Sequence, residues 1–391
     1  MNAKKNKTGI LTFHKSINYG SVLQAWALQQ TLLKMNKNVE IIDYEPKIYN
    51  RLYGVFRKEW TIKNILYNIK RLPIAGMIKR QIALFSEFRK SNLKTTNKTF
   101  HSVEEFEHDK SDYQYLITGS DQVWNIHAYD CDDIFFLPFD FEGKKIAYAV
   151  SVNDTDFSES KCDERLQKQL RDYAAISCRE KSGAVKIAEF INADNIFTAL
   201  DPTLLLEKED YNHICSGKLI HTKYIFLYSV WEGSDAISIA KQYSRLFHMP
   251  ICTILTKKDF RSILRMEMNG IKIQKFYTSP GDFLSLIRYA DFVITDSFHG
   301  TAFSIIFERQ FACINQRVQG NGRNSTCLKN DERLMNILFE LGLNDRLISI
   351  SESHKLNNMK AINYIEVTSI RMSLAKLSST WLYNALGMAE K

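Results

Sequence analysis

The sequence predicts an α/β protein of two doubly wound domains that face each other across a cleft, with a basic helical insertion and a C-terminal helix. Short apolar, β-prone runs alternate with helical segments along most of the chain, the pattern of parallel sheets covered on both faces. Polar clusters recur directly after the apolar runs, at what would be one carboxyl edge in each domain. With 391 residues, two domains of ordinary size are expected. The boundaries fall at 1–205 for the first domain, with the basic insertion at about 51–100, at 206–345 for the second, and at 346–391 for a helical tail.

The first unit opens with a strand at Gly9–Phe13, a polar turn from His14 to Ser21, a helix from about Val22 to Met35 and a strand at Val39–Tyr44. This is a β-α-β unit. After the insertion the alternation resumes with an apolar run at Tyr113–Thr118, then Gly119-Ser120-Asp121-Gln122-Val123-Trp124-Asn125 as a polar turn. A strand follows at Lys145–Val150, a helix at Asp163–Tyr173, a short strand at Ala174–Cys178 and a helix at Gly183–Phe190. Asp201-Pro202-Thr203 leads to the domain boundary. The second unit reads as a strand at Tyr224–Tyr228, a helix at Asp235–Phe247 and a strand at Ile251–Leu255. A helix at Gly281–Ala290, strands around Phe292–Ile294 and Phe311–Asn315, and a helix at Asn330–Leu341 follow. Ile362–Met388 reads as one long helix.

Composition excludes several classes. At 45% apolar and 12% aromatic residues the chain has ample material for packed cores, so it is not a disordered chain. Seven scattered cysteines without a C-x-x-C pair suggest neither zinc nor dithiol chemistry and fit a reducing cytosol. The apolar run Ile10–Phe13 is far too short for a signal sequence, and no membrane span is expected. The net charge of +8 is concentrated: Arg51–Phe100 holds twelve Lys or Arg against Glu59 and Glu87, which leaves the rest slightly acidic. Trp60, Ile62, Ile65, Leu66 and Ile69, then Ile74, Met77, Ile78, Ile82, Phe85 and Phe88, recur there at helical spacing. A basic amphipathic helix suggests contact with an anionic membrane or a lipid-linked substrate at the inner face of the cell membrane; a solvated basic face is the plainer reading. Nucleic acid is not expected, because no recognition motif accompanies the charge.

The densest cluster lies in Thr295-Asp296-Ser297-Phe298-His299-Gly300-Thr301, between a buried strand and an apolar helix. Asp296 and Ser297 suit an N-cap, Gly300 permits close approach of the backbone, and the helix N-terminus suits an anion. His299 is either a satisfied core histidine or a proton carrier near neutral pH. In the first domain the corresponding candidates are Asn18, Tyr19 and Gly20; Gly119, Ser120 and Asp121; Ser151; and Arg179 with Glu180. Asn315 and Arg317 follow in the second. Any one cluster could be a cap and a turn, but their repetition at one edge would line a cleft. Arg179 can hold phosphate or carboxylate in a bidentate fork, or pair with Glu180 or another acid. Asp121 is a general acid/base or a loop acceptor. Cys178 reads as packing. Neither a dinucleotide fingerprint nor a P-loop occurs, and no metal site stands out.

The order F-H-x-x-x-N-Y-G-S-x-L-Q-A (Phe13–Ala25), G-S-D-Q-V-W-N (Gly119–Asn125), S-x-R-E (Ser177–Glu180), D-P-T (Asp201–Thr203) and T-D-S-F-H-G-T (Thr295–Thr301) resembles the polysaccharide pyruvyl transferase family over about residues 9–340. The resemblance implies a GT-B-like pair of Rossmann-type domains and transfer of a carboxyvinyl-derived unit from phosphoenolpyruvate to a sugar, giving a pyruvate ketal. The acceptor would be polymeric or lipid-linked, with no cofactor beyond the donor substrate and no metal. In the family an Arg and a His of these motifs are tied to donor binding and catalysis, and here they match Arg179 and His299. A nucleotide-sugar glycosyltransferase on the same fold, and a non-catalytic binder of an anionic glycan or lipid-linked sugar, are the alternatives.

Overall fold

The computed structural model describes residues 7–153, 155–159, 163–256, 259–275, 277–315, 317–319, 326–328 and 331–388, with the side chains of 317–319 and 326–328 outside the description. The chain forms two compact units, 1–54 with 89–206 and 372–391, and 55–88 with 207–371.

The first unit is built on six parallel strands: β1 (Lys7–Leu11), β2 (Asn38–Ile41), β3 (Tyr115–Asp121), β4 (Lys144–Val150), β5 (Ala175–Cys178) and β6 (Phe197–Thr198). Their order is β2-β1-β3-β4-β5-β6, so connections leave in opposite directions from β1 and β3. Helices such as Tyr19–Lys34, Glu164–Arg171 and Lys181–Ile191 supply the crossovers. The core gathers Leu116, Trp124, Phe135, Ala147 and Ile187. Trp124 stacks on Phe136 at 5.9 Å and donates its indole N–H to Phe135 O at 2.9 Å, which satisfies its one polar group inside the core.

The second unit repeats the plan with β7 (Ile225–Tyr228), β8 (Ile251–Thr253), β9 (Lys272–Ile273), β10 (Phe292–Thr295) and β11 (Phe311–Ile314). A short antiparallel ribbon of β12 (Arg317–Gln319) and β13 (Thr326–Leu328) precedes β14 (Leu347–Ile348). The sheet order is β14-β11-β10-β7-β8-β9, the Rossmann order with its reversal between β7 and β10. The two doubly wound units give the expected α/β class.

Several boundaries shift for local reasons. The first helix begins at Tyr19, not near Val22, because Asn18 caps it: Asn18 Oδ1 accepts from Gly20 N at 2.9 Å. Strand β3 runs on through Gly119-Ser120-Asp121, the segment expected as a turn, because its ladder to β4 continues to Asp121 opposite Val150. The helix expected from Asn330 spans Glu332–Glu340, capped by Asp331, and Asn330 lies outside the described residues. Helix Phe260–Met268 and strand β9 (Lys272–Ile273) are elements that the sequence did not single out.

The basic segment divides between units. Residues 55–88 belong with the second, where Met77 packs on its core and Gln81 makes a two-bond clasp with Thr278, through Thr278 O at 2.7 Å and Thr278 N at 2.9 Å. The tail divides too. Leu347–Ile348 completes the second sheet beside β11, whereas the far end of helix Tyr364–Ala385 packs in the first unit, with Trp381 stacked on Phe197 at 5.6 Å.

Candidate functional site

In an open α/β sheet, ligands bind beyond the carboxyl ends of strands, where the strand order reverses. Each unit therefore offers one edge, and the candidate residues sort between the two.

In the first unit the centre is Arg179, one residue past β5 and buried. Its Nη2 donates to Ser120 Oγ at 2.5 Å and lies 2.7 Å from Asp201 Oδ2, with both charged side chains sealed from solvent. Asp201 is held in turn by Thr203, whose N and Oγ1 donate to Asp201 Oδ1 at 2.9 and 2.6 Å. The D-P-T motif is thus the counter-charge that aims Arg179, a role its sequence position did not reveal. Of the acids that could partner Arg179, Asp201 takes the place and Glu180 turns elsewhere. Its Oε1 accepts from Ser151 Oγ, Val152 N and Asn153 N at 2.9, 2.9 and 3.1 Å, tying the loop after β4 to the end of β5. Ser151 is therefore engaged in this tie.

The reversal point of this unit lies between β1 and β3. Thr12 Oγ1 donates to Ser120 O at 3.1 Å and receives Gln24 Nε2 at 2.8 Å, so the early motif's Gln24 braces the two strand ends. Asn18 spends its side chain on the helix cap, and Tyr19 and Gly20 form the first helical turn rather than an open loop. Asp121 is buried with a φ of 79°; its Oδ1 accepts from Gln122 N, while its Oδ2 has no hydrogen-bond partner. Nearby stands a group the sequence did not single out. Tyr53 Oη meets Ser16 Oγ at 2.8 Å and donates to Asp130 Oδ2 at 3.4 Å. Burial, with the Asp121 carboxylate adding to it, pushes Asp130 up to about 6. Two interacting carboxylates with the proton of one available near neutrality suit general acid/base work.

The same rim holds His14, whose Nε2 lies 2.9 Å from Asp43 Oδ1. Burial would raise Asp43, but hydrogen bonds from His14 and Thr99 and the Lys15 charge hold it well below the ordinary carboxylate range.

In the second unit the edge is built around the strand-to-helix turn after β10. Ser297 is the N-cap of helix Phe298–Ile306, its side chain accepting from Gly300 N at 3.4 Å. Asp296 does not cap. It takes Ser229 Oγ at 2.5 Å, Val230 N at 2.7 Å and Trp231 N at 3.4 Å, binding the loop after β7 across the reversal point. Burial outweighs these hydrogen bonds and raises the Asp296 carboxyl. Gly300 is dictated from inside: a Cβ there would fall 2.3 Å from Thr295 Oγ1, so the glycine lets the helix close on its own strand. His299, the second helical residue, is buried with its ring edge-on to Phe298 at 5.2 Å. Asn315 follows β11, and the Arg317 side chain lies outside the described residues.

The sequence profile of the family described as polysaccharide pyruvyl transferase matches residues 18–317, which contain Arg179, Asp201, Asp296 and His299. The chain belongs to this family. No curated protein matches it. Among solved structures, the chain is similar to the Staphylococcus aureus MnaA–UDP co-structure, at 9% identity and a TM-score of 0.51, covering 99% of this chain and 98% of that one. It is also similar to a putative UDP-N-acetylglucosamine 2-epimerase from Listeria monocytogenes, at 9% identity and a TM-score of 0.50, covering 96% and 91%. At such identity the likeness speaks for the fold, which is GT-B-like, and not for the ligand. Among the described residues no helix is long and apolar enough to cross a membrane, and no cluster of three or more His, Cys, Asp or Glu is placed to hold a metal ion.

Proposed function

We propose that the protein transfers the carboxyvinyl-derived unit of phosphoenolpyruvate to a sugar of a cell-surface polysaccharide or its lipid-linked precursor, forming a pyruvate ketal. Family membership carries the reading, and the Arg179–Asp201–Ser120 group supports it. The donor carries a phosphate and a carboxylate, and a guanidinium held in one orientation is suited to such a dianion. In this scheme the first unit supplies Arg179 for an anionic group, and the second supplies the amides that open helix Phe298–Ile306 for a phosphate and His299 as a proton donor. Asp121, with Asp130 beside it, takes the acceptor proton. The enol methylene gains a proton and becomes a methyl, one sugar hydroxyl adds to the central carbon, phosphate departs, and the second hydroxyl closes the ketal. Of the two hydroxyl protons released, one balances the methyl and one the phosphate.

The acceptor is open, so the test begins with the donor. Thermal shift is measured with phosphoenolpyruvate, UDP and an unrelated phosphate ester on wild type, Arg179→Lys and His299→Asn. Saturating ligand adds about 2.7 kcal/mol at a hundredfold excess over Kd. Arg179→Lys keeps a cation beside buried Asp201, so the fold survives while the fork is lost. A shift specific to phosphoenolpyruvate and reduced in Arg179→Lys supports pyruvyl transfer. A shift with UDP alone would replace it with a nucleotide-sugar glycosyltransferase. Glycan binding that falls steeply with salt and survives His299→Asn, without donor binding, would point to a non-catalytic binder.

A further inference from the structure

Helix Ile62–Arg71 is built inside out. An amphipathic helix on a globular body turns its apolar stripe inward. Here the buried residue is Asn64, and Tyr67, Asn68 and Arg71 are half-buried with it. Asn64 donates to Glu59 O and Oε2, each at 3.1 Å; Asn68 receives Arg57 N at 2.8 Å and donates to Arg57 O at 2.9 Å. The guanidinium of Arg57 lies over the Tyr67 ring at 4.0 Å. Polar side chains thus fasten the inner face, and Ile62, Ile65, Leu66 and Ile69 project outward on the i, i+3, i+4, i+7 stripe. Trp60 before the helix is 93% exposed, Ile62 79% and Leu72 after it 61%. Between helix and preceding loop is a hollow of about 420 Å³ lined by Phe56, Trp60, Ile65, Ile69 and Leu72. A contiguous apolar patch of this kind marks an interaction surface.

We infer that the Phe56–Leu72 segment docks the protein on an anionic lipid surface, with helix Ile62–Arg71 lying in the plane of the interface and Trp60 at its edge. The charge around the patch selects this occupant. Lys58, Lys63 and Lys70 are exposed beside the apolar side chains, and Lys79 and Arg80 follow on the next helix. Glu59, the acid within the segment, is engaged by Asn64. A second copy of the chain would press these cations against their equivalents, whereas anionic headgroups neutralise them, each worth about a fivefold gain in affinity. Tryptophan sits well at the depth where apolar chains meet headgroups. The helix has ten residues, too short to span, and in-plane binding requires no more. The inference rests on exposure and charge in this segment and stands whether or not the proposed reaction is correct.

The test is co-sedimentation of the full chain with phosphatidylcholine vesicles, with and without phosphatidylglycerol. Wild type is expected to bind the anionic vesicles, with weaker binding as salt rises. Ile62→Ser, Leu66→Ser and Ile69→Ser together should weaken binding by at least about tenfold, as loss of buried apolar area implies. Because these side chains face water, the triple variant should unfold at the wild-type temperature. Lys63→Glu with Lys70→Glu should weaken binding to anionic vesicles by at least about tenfold. Absence of wild-type binding, binding unchanged in both variants, or a concentration-dependent dimer abolished by the serine variant would overturn the inference.

Discussion

The two sheets hold their carboxyl edges with the same kind of latch, placed differently. In the first unit Glu180, just past β5, accepts from the hydroxyl of Ser151 and the amides of Val152 and Asn153. In the second, Asp296, just past β10, accepts from the hydroxyl of Ser229 and the amides of Val230 and Trp231. Each time a carboxylate at the end of one strand fixes a Ser-Val loop leaving its neighbour. The second latch bridges β7 and β10, where the strand order reverses. The first bridges β4 and β5, away from the reversal between β1 and β3. The second unit thus spends its carboxylate on rigidity at its strand-order reversal and presents a capped helix N-terminus there. The first leaves that point to Ser120 and Asp121 and keeps a carboxylate oxygen out of any hydrogen bond.

The largest expected effect falls on the ion pair beside the first latch. Asp201→Ala would leave the Arg179 guanidinium buried without its counter-charge, which costs about 3–5 kcal/mol. Urea unfolding of Asp201→Ala should show that loss. A change below about 1 kcal/mol would mean that the pair does not hold the first edge, and the aim of Arg179 would need another cause.

The latches themselves separate next, because they use their oxygens differently. Glu180 gathers all three donors on Oε1, and its buried Oε2 has no hydrogen-bond partner. Gln can keep its carbonyl at the Oε1 place, so Glu180→Gln should cost under about 1 kcal/mol. Asp296 uses both oxygens, taking Val230 on one and Ser229 with Trp231 on the other. Asn must set its own N–H group against one of these donors, so Asp296→Asn should cost about 1–2 kcal/mol. Denaturant midpoints of the two variants decide it; equal losses would erase the distinction.

Much of this architecture is written locally. Apolar runs of four to seven residues, such as Phe292–Thr295, mark the buried strands, and Asn18, Asp163 and Ser297 stand where helices begin, because caps and apolar patterns act over a few residues. The site is legible only in part. Arg179, Asp121 and His299 were visible as chemistry at strand ends, but the contacts that build the first edge lie far along the chain: Arg179 is 59 residues from Ser120, and Tyr53 is 77 from Asp130. The inverted face of Ile62–Arg71 was hidden for a different reason. Periodicity locates an apolar stripe, and side-chain hydrogen bonds to the preceding loop, such as Asn68 to Arg57, decide which way it points.

A pH titration sharpens the comparison where the first unit is unlatched. Asp130 is raised from 3.8 to about 6, so the folded state favours its protonated form. The contribution of a raised acid to stability is full below pH 3.8 and is lost as pH rises through about 6. Asn at this position does not titrate. The stability of Asp130→Asn relative to wild type should therefore climb between pH 4 and pH 7 and then level off, reaching about 1–2 kcal/mol once partial exposure is discounted. Burial is the first cause of the shift and the Asp121 charge the second. Repeating the pair of measurements in an Asp121→Asn background should therefore shrink the climb without abolishing it. A flat difference across the range would remove the interacting carboxylates from the β1–β3 edge, and with them the reason to assign acceptor deprotonation to this unit. Complete loss of the climb with Asp121→Asn would instead make charge, rather than burial, the source of the Asp130 proton.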